Sequence, residues 1–122
     1  MTAYSAAAAK AAQDFTFPTS AGTDYIAYSE NGSSETSNLA RTAVGVTGWA
    51  AATSASPSVK ANNSTITSAQ ASGAATITHF AVFDAASSGT QKTVWIELDT
   101  ARTLASGDRL QHEAGDIEIS LD

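Results

Sequence analysis

Through the last third of the chain the large apolar side chains recur at every second position, and such a pattern buries them only when the segments are strands. Val94, Ile96 and Leu98 alternate with Thr93, Trp95 and Glu97, which predicts one core face and one surface face. Ile117, Ile119 and Leu121 alternate in the same sense with Glu118 and Ser120. Ala75 to Asp84 is apolar in both registers, with Ile77, Ala81 and Phe83 on one side and Phe80 and Val82 on the other, as a central strand requires. Two Gly-Asp turns, Ser106-Gly107-Asp108 and Ala114-Gly115-Asp116, bracket a strand from Arg109 to Glu113 and imply a meander.

The earlier part is built more lightly. Tyr25 to Glu30 reads as a first strand, closed by the turn-forming Asn31-Gly-Ser-Ser. Arg41 to Ala51 places Val44 and Val46 on one face and Trp49 after Gly48, with Gly45 and Gly48 marking a bend. Ser54 to Pro57 breaks the chain, Ser58 to Ala61 is a short edge strand, Ser64 to Ala69 is a strand with Ile66 inward, and Ser72-Gly73 is a turn. Only Ser5 to Asp14 favours a helix, whose apolar face carries Tyr4, Ala8, Ala11 and Phe15 and which Pro18 prevents from continuing. So short a helix is unstable alone and must dock on its own domain or on a neighbour. The expected fold is therefore all-β: an antiparallel, jelly-roll-like β-sandwich of about seven to nine short strands over residues 19–122, preceded by a helical arm at residues 1–18.

Composition decides how stable such a fold is. Of the 43% of residues that are apolar, half are alanine, 26 in number, so the nominal core consists largely of methyl groups. Apolar burial contributes roughly 25 cal/mol per Å², and alanine offers little area, so subunit or lattice contacts are expected to supply further stability. Twelve acidic residues against six basic ones, a net charge of −6, are the reverse of a phosphate-binding footprint and exclude nucleic acid as a partner. No run of apolar residues is long enough to span a membrane, and Ala6 to Ala9 lacks the charged start and leucine-rich middle of a signal peptide. With no cysteine, disulfides, thiolate catalysis and thiolate-bound zinc are excluded.

The candidate chemistry is thin. His79 lies within the apolar strand, where a histidine hydrogen-bonded to a neighbour is expected. His112-Glu113 begins like a zinc-protease motif, but Asp116 stands where the second histidine belongs. Asp84, Asp99, Asp108, Asp116 and Glu118 show no calcium-loop spacing; Asp84 and Asp99 are expected to end strands, and all five read as turn or solvated carboxylates. Asn31-Gly-Ser, Asn62-Asn-Ser and Asn63-Ser-Thr match the glycosylation triplet, which a chain this rich in serine and threonine meets by chance. No nucleophile elbow or phosphate loop is present. No residue is assigned as catalytic, cofactor-binding or metal-binding. Trp49 and Trp95 are candidates for a sugar-stacking platform, against the plainer reading as core or subunit contacts.

The stretch Thr76-Ile-Thr-His-Phe-Ala-Val-Phe-Asp-Ala-Ala-Ser-Ser-Gly89, the turn Thr103-Leu-Ala-Ser-Gly-Asp108 and the ending Ala114-Gly-Asp-Ile-Glu-Ile-Ser-Leu-Asp122 together resemble a small bacteriophage virion-protein family of tail fibre-like proteins. The likeness is good from Ser72 to Asp122 and looser before it. It implies a structural virion protein without catalysis. Fibre shafts are long, trimeric and repeat-rich, whereas this chain is short and has no repeat. The first expectation is accordingly a many-copy decoration or cement protein on the outer head surface, with the major capsid protein and copies of itself, as a homotrimer, for partners. The helical arm would latch onto a neighbouring subunit or the capsid floor. The alternative is a tail fibre or tail-tip adhesin using Trp95 and Tyr28 on a host surface glycan, and the third reading is a carboxylate-based glycan hydrolase.

Overall fold

The segment that is apolar on both registers forms the centre of the largest sheet. In the computed structural model, which describes residues 4–19, 23–45, 48–55 and 57–121, strand β5 (Ala75–Phe83) lies between β1 (Tyr25–Ser29) and β6 (Ile96–Leu104). β1 pairs antiparallel with β5 from Tyr25↔Phe83 to Ser29↔His79, and its other edge carries the two residues of β2 (Thr42–Ala43). β3 (Ser58–Ala61) pairs antiparallel with β8 (Glu118–Leu121) in a second sheet, and β4 (Ile66–Thr67) with β7 (Gln111–His112) makes a third. One helix, α1 (Ala6–Thr16), precedes them. The fold is thus mostly β with an N-terminal helix, as the sequence pattern requires. The strands, however, divide into three small sheets, and these pairings do not define a sandwich or a jelly roll.

The residues group into two compact units, one of Met1–Gly22, Val44–Thr65 and His112–Asp122, the other of Thr23–Ala43 and Ile66–Gln111. In the first, α1 begins at Ser5, whose hydroxyl accepts from the Ala8 amide at 3.1 Å as an N-cap. The helix packs on β3 of its own chain, and it does so with Ala9 and Gln13, not with the stripe that spacing selects. Tyr4, Ala8, Ala11 and Phe15 all face outward, Phe15 being 86% exposed. Periodicity identifies an apolar stripe but not what covers it, and here a buried glutamine decides which side docks. Phe17, just past the helix, buries edge-on against Trp49 with ring centroids 5.5 Å apart.

The second unit holds most of the core: Ile26, Ala27, Tyr28, Ile77, Ala81 and Val82 are fully buried. Gly32, in the turn after β1, has φ +76, and a Cβ there would come within 2.8 Å of the His79 ring, so only glycine fits both the backbone and its neighbour. Four expectations fail in this unit or at its borders. Of Arg41 to Ala51 only Thr42–Ala43 is regular strand, since Gly45 turns the chain at φ +92; Val46 lies outside the described residues. Val94 is 79% exposed because β6 begins only at Ile96, and the strand runs through Asp99, which does not end it. The pairing with β5 shifts register between Ile77 and His79, so alternation breaks where the sequence looks most regular. The meander is also absent, because β8 pairs with β3 and β7 with β4.

The register correction is testable with one chemical change at two sites. Val82→Ala, at a fully buried position, is expected to cost about 1.5–3 kcal/mol. Val94→Ala is expected to stay within about 0.5 kcal/mol in the same urea unfolding experiment. Equal losses at both sites would return Val94 to the core.

Candidate functional site

In a core short of bulk, buried polar side chains do much of the tying, and they explain most of the residues first considered for chemistry. Lys60 has no exposed side-chain surface; its Nζ lies 2.7 Å from Asp14 Oδ1, while Lys10, one helical turn before Asp14, reaches Oδ2 at 2.6 Å. The Ala52 amide donates to the same Oδ1 at 2.9 Å. Partial burial pushes the Asp14 carboxyl up, but the donations from Lys10, Lys60 and Ala52 outweigh it and hold the group well below the usual carboxylate range. The neighbouring Gln13 spends its amide on Ser58 O at 3.1 Å and Ile119 O at 2.8 Å, joining helix to both strands of the second sheet. Asn62 is equally committed: Nδ2 donates to Ser64 O and Glu113 O, and Oδ1 accepts from the Ile117 amide. It is buried and serves as a structural bracket for the Gly115 turn, which removes the Asn62 triplet as a glycosylation candidate.

The predicted turn carboxylates act as such. Asp108 and Asp116 accept from the amides of Ala105 and Glu113 at 2.8 and 2.9 Å, and Asp84 accepts from Thr90 at 2.7 Å. His79 shares a hydrogen bond of 2.7 Å with Thr78 Oγ1 and packs on Gly32, and His112 is buried. Among the described residues no cluster of three or more metal-ligating side chains occurs. The aromatic platform does not assemble either. Trp49 is buried, and Trp95 is half-buried with its ring tilted against Phe83 at 6.2 Å. Tyr28, expected as a surface aromatic, is fully buried with its hydroxyl 2.6 Å from Thr42 Oγ1, because β1 is covered on the face that Tyr28 occupies. Burial raises its phenol above the usual range, against the smaller opposing effect of Thr42.

A concave feature lies in the second unit, where residues 35–41, 70, 72 and 86–88 line about 350 Å³. Arg41 frames it. Its guanidinium sits 3.8 Å above the Phe83 ring, grips Glu35 through Nε and Nη2 at 2.9 and 2.8 Å, and donates from Nη1 to Ala85 O and Ser88 O, both at 2.8 Å. Ser88 has φ +54, the left-handed region that a non-glycine residue rarely occupies, and its carbonyl is one of the two that Arg41 holds. Opposite, Asn38 Nδ2 donates to Ala74 O at 3.2 Å, and its carbonyl accepts from the Ser72 amide at 2.9 Å. Sequence reasoning passed over Arg41 because a single arginine at a strand start carries no motif; only the fold brings Glu35, Phe83 and Ser88 around it.

Comparison with protein-family models matches residues 2–120 to one described as podophage GP4 fiber I protein gp80. The chain belongs to this fibre protein family. The resemblance to phage fibre-like proteins read from Thr76–Gly89 and the C-terminal ending therefore holds across nearly the whole chain, and the molecule is a phage fibre protein, a structural component of the virion. Comparison with curated proteins gives no match. In this fibre protein the Asp14 centre ties the helix to β3, and its electrostatics predict an acid limb of stability. Because the folded-state pKa of Asp14 lies below the ordinary 3.8, the unfolded chain binds more protons in acid. The contribution of Asp14 is complete above that ordinary value and drains away as pH falls below it. Asp14→Asn is expected to cost about 3–5 kcal/mol at neutral pH by leaving Lys60 buried without its anion, and to flatten the acid limb. Thermal unfolding of both proteins between neutral pH and pH 2 checks both outcomes; an acid limb unchanged in Asp14→Asn would assign it to other carboxylates, of which Glu30, held low chiefly by the Thr76 amide and also by Thr36, is the first candidate.

Proposed function

We propose that the protein is a non-catalytic module of the tail fibre, present as a small assembly of identical copies and engaged in contact with the host surface. The observation that carries this reading is the fibre family model spanning residues 2–120. It favours the fibre over the capsid-decoration role that sequence length and lack of repeats suggested, and neither the fold nor the side-chain chemistry offers a competing argument for a capsid partner. The non-catalytic part rests on the same family and on the placement of histidines and carboxylates in packing and turn roles. Cryo-electron microscopy of the particle with labelled protein is expected to find the chain at the tail in few copies. Hundreds of copies spread over the head would restore the cement reading.

Self-association is proposed through α1. On its outward face Ala8, Ala11 and Phe15 follow at spacings of three and four, the seam that helices of neighbouring copies interlock, and the exposed Tyr4 lies just ahead of the N-cap Ser5. Small residues at Ala8 and Ala11 let backbones approach, and the aromatic ends supply the area that the alanine-rich interior lacks. Light scattering coupled to size exclusion is expected to show an oligomer for the native sequence and a shift to monomer for Phe15→Ser. That variant should unfold at nearly the native temperature when measured as a monomer, since Phe15 is 86% exposed. A native protein that is already monomeric would remove the seam from consideration.

A further inference from the structure

We propose that the depression bounded by residues 35–41, 70, 72 and 86–88 is a binding site for a short, uncharged saccharide; the chemistry is that of the site, and a host-surface source for the sugar rests on the fibre reading above. At about 350 Å³ the space falls at the small end of the range for ligand pockets, roughly 300–1,000 Å³. Its wall is mixed, with Ala40 and Ala86 contributing apolar surface between the hydroxyls and amides of Ser37, Gln70, Ser72 and Ser87, as the alternating C–H and O–H surface of a sugar requires. Ser37, Gln70 and Ser87 are exposed there, and among the described residues no hydrogen bond within the protein occupies their side chains. A hydroxyl or carboxamide that both donates and accepts matches a sugar hydroxyl, which does the same, whereas a purely apolar or purely ionic ligand leaves such groups unsatisfied.

Charge narrows the choice further. The two ions on the wall, Arg41 and Glu35, are spent on each other in a two-pronged pair, and Arg41 gives its remaining prong to Ala85 and Ser88. A phosphate or carboxylate entering the depression finds the Arg41 guanidinium already paired with Glu35 and engaged by the Ala85 and Ser88 carbonyls. A cationic ligand meets a carboxylate already neutralised. A neutral polyhydroxylated ligand incurs neither cost. The site is also held ready: Arg41 pins the 85–88 segment, including the left-handed Ser88, and Asn38 pins the 72–74 segment, so little ordering accompanies binding. The aromatic alternatives have been removed by burial, Tyr28 completely and Trp95 partly against Phe83. Recognition by hydrogen bonds alone makes a single site weak, and repetition of the site over fibre copies raises the overall avidity.

The test uses the full chain labelled with ¹⁵N and titrated with glucose, galactose, mannose, rhamnose and N-acetylglucosamine, with glucose 6-phosphate and N-acetylneuraminic acid as anionic counterparts. At least one neutral sugar is expected to shift amides of residues 35–41, 70, 72 and 86–88, and to do so more strongly than either anion. Ser87→Trp, which fills the depression from an exposed position, should weaken that binding about tenfold or more while leaving circular dichroism and the unfolding temperature unchanged. Gln70→Ala, which removes one partner, should weaken it a few-fold, in line with about 0.5–1.5 kcal/mol for one hydrogen bond. No shift at these amides with any neutral probe, a stronger response to the anions, or binding that survives Ser87→Trp would each overturn the proposal. A silent depression in a protein located at the tail leaves the fibre reading standing; a sugar-binding depression in a protein that coats the head keeps the site and discards the fibre reading.

Discussion

A lysine with no exposed side-chain surface is tolerated only where an anion meets it, and in the first unit that anion is Asp14, 2.7 Å from Lys60 Nζ. The pair fixes which face of α1 is inward. Once Asp14 must reach Lys60, Gln13 is aimed at the carbonyls of Ser58 and Ile119, Ala9 comes under the helix, and the more apolar stripe is turned away. Hydrophobicity alone would have docked the helix by Tyr4 and Phe15. A few charged and amide hydrogen bonds prevail because the competing gain is small: two alanines and Phe15 on a short helix, with Tyr4 just ahead of it, against a buried ammonium that cannot be left unpaired.

The same economy recurs in the second unit. Ser68 is buried with its hydroxyl accepting from the Leu110 amide at 2.7 Å and donating to Ala69 O at 2.8 Å, and the backbone of the same residue bonds Leu110 again at 2.8 Å. Arg41 ties two loops to a strand through one guanidinium. Among the described residues every buried side-chain nitrogen and oxygen has a hydrogen-bond partner, so the polar interior carries no unmet desolvation cost. A chain with half its apolar residues as alanine reaches a defined fold in this way, by specifying directional bonds where larger side chains would have specified shape.

This division explains what was legible beforehand. β3 appears at Ser58–Ala61 as read, β5 is the central strand that its two-sided apolarity demands, and the Gly107 and Gly115 turns sit at φ +93 and +87 as Gly-Asp turns do. Those features are local, and local chemistry suffices for them. The misreadings at Val94, at Tyr28 and on the outer face of α1 share one cause: alternation and helical spacing sort residues into two faces without saying which face meets the rest of the chain. That choice is made by long-range partners such as Lys60 for Asp14, separated by 46 residues. The register shift between Ile77 and His79 adds residues on the β6 side that no periodic reading of β6 reveals. Of the candidate site nothing was legible, since its hydroxyls come from three separate loops in a sequence where serine and threonine are everywhere.

The abundance of serine and threonine, 16 of each, bears on function through placement more than through number. Hydroxyls that cap turns or bond strands, as in Ser29, Thr36 and Ser68, are consumed by the fold. Those of Ser37 and Ser87 are not, and they face one depression whose two charges cancel. A surface adapted to a charged ligand would leave a cation or an anion open, and a surface adapted to an apolar partner would place Leu39 outward, whereas Leu39 is 2% exposed. What the second unit offers outward is a neutral, hydrogen-bonding concavity on a braced frame, a form of recognition weak in one copy and effective in many. If several copies share one fibre, as proposed, that weakness is useful, because each copy adds to residence on a surface without making any single contact hard to release.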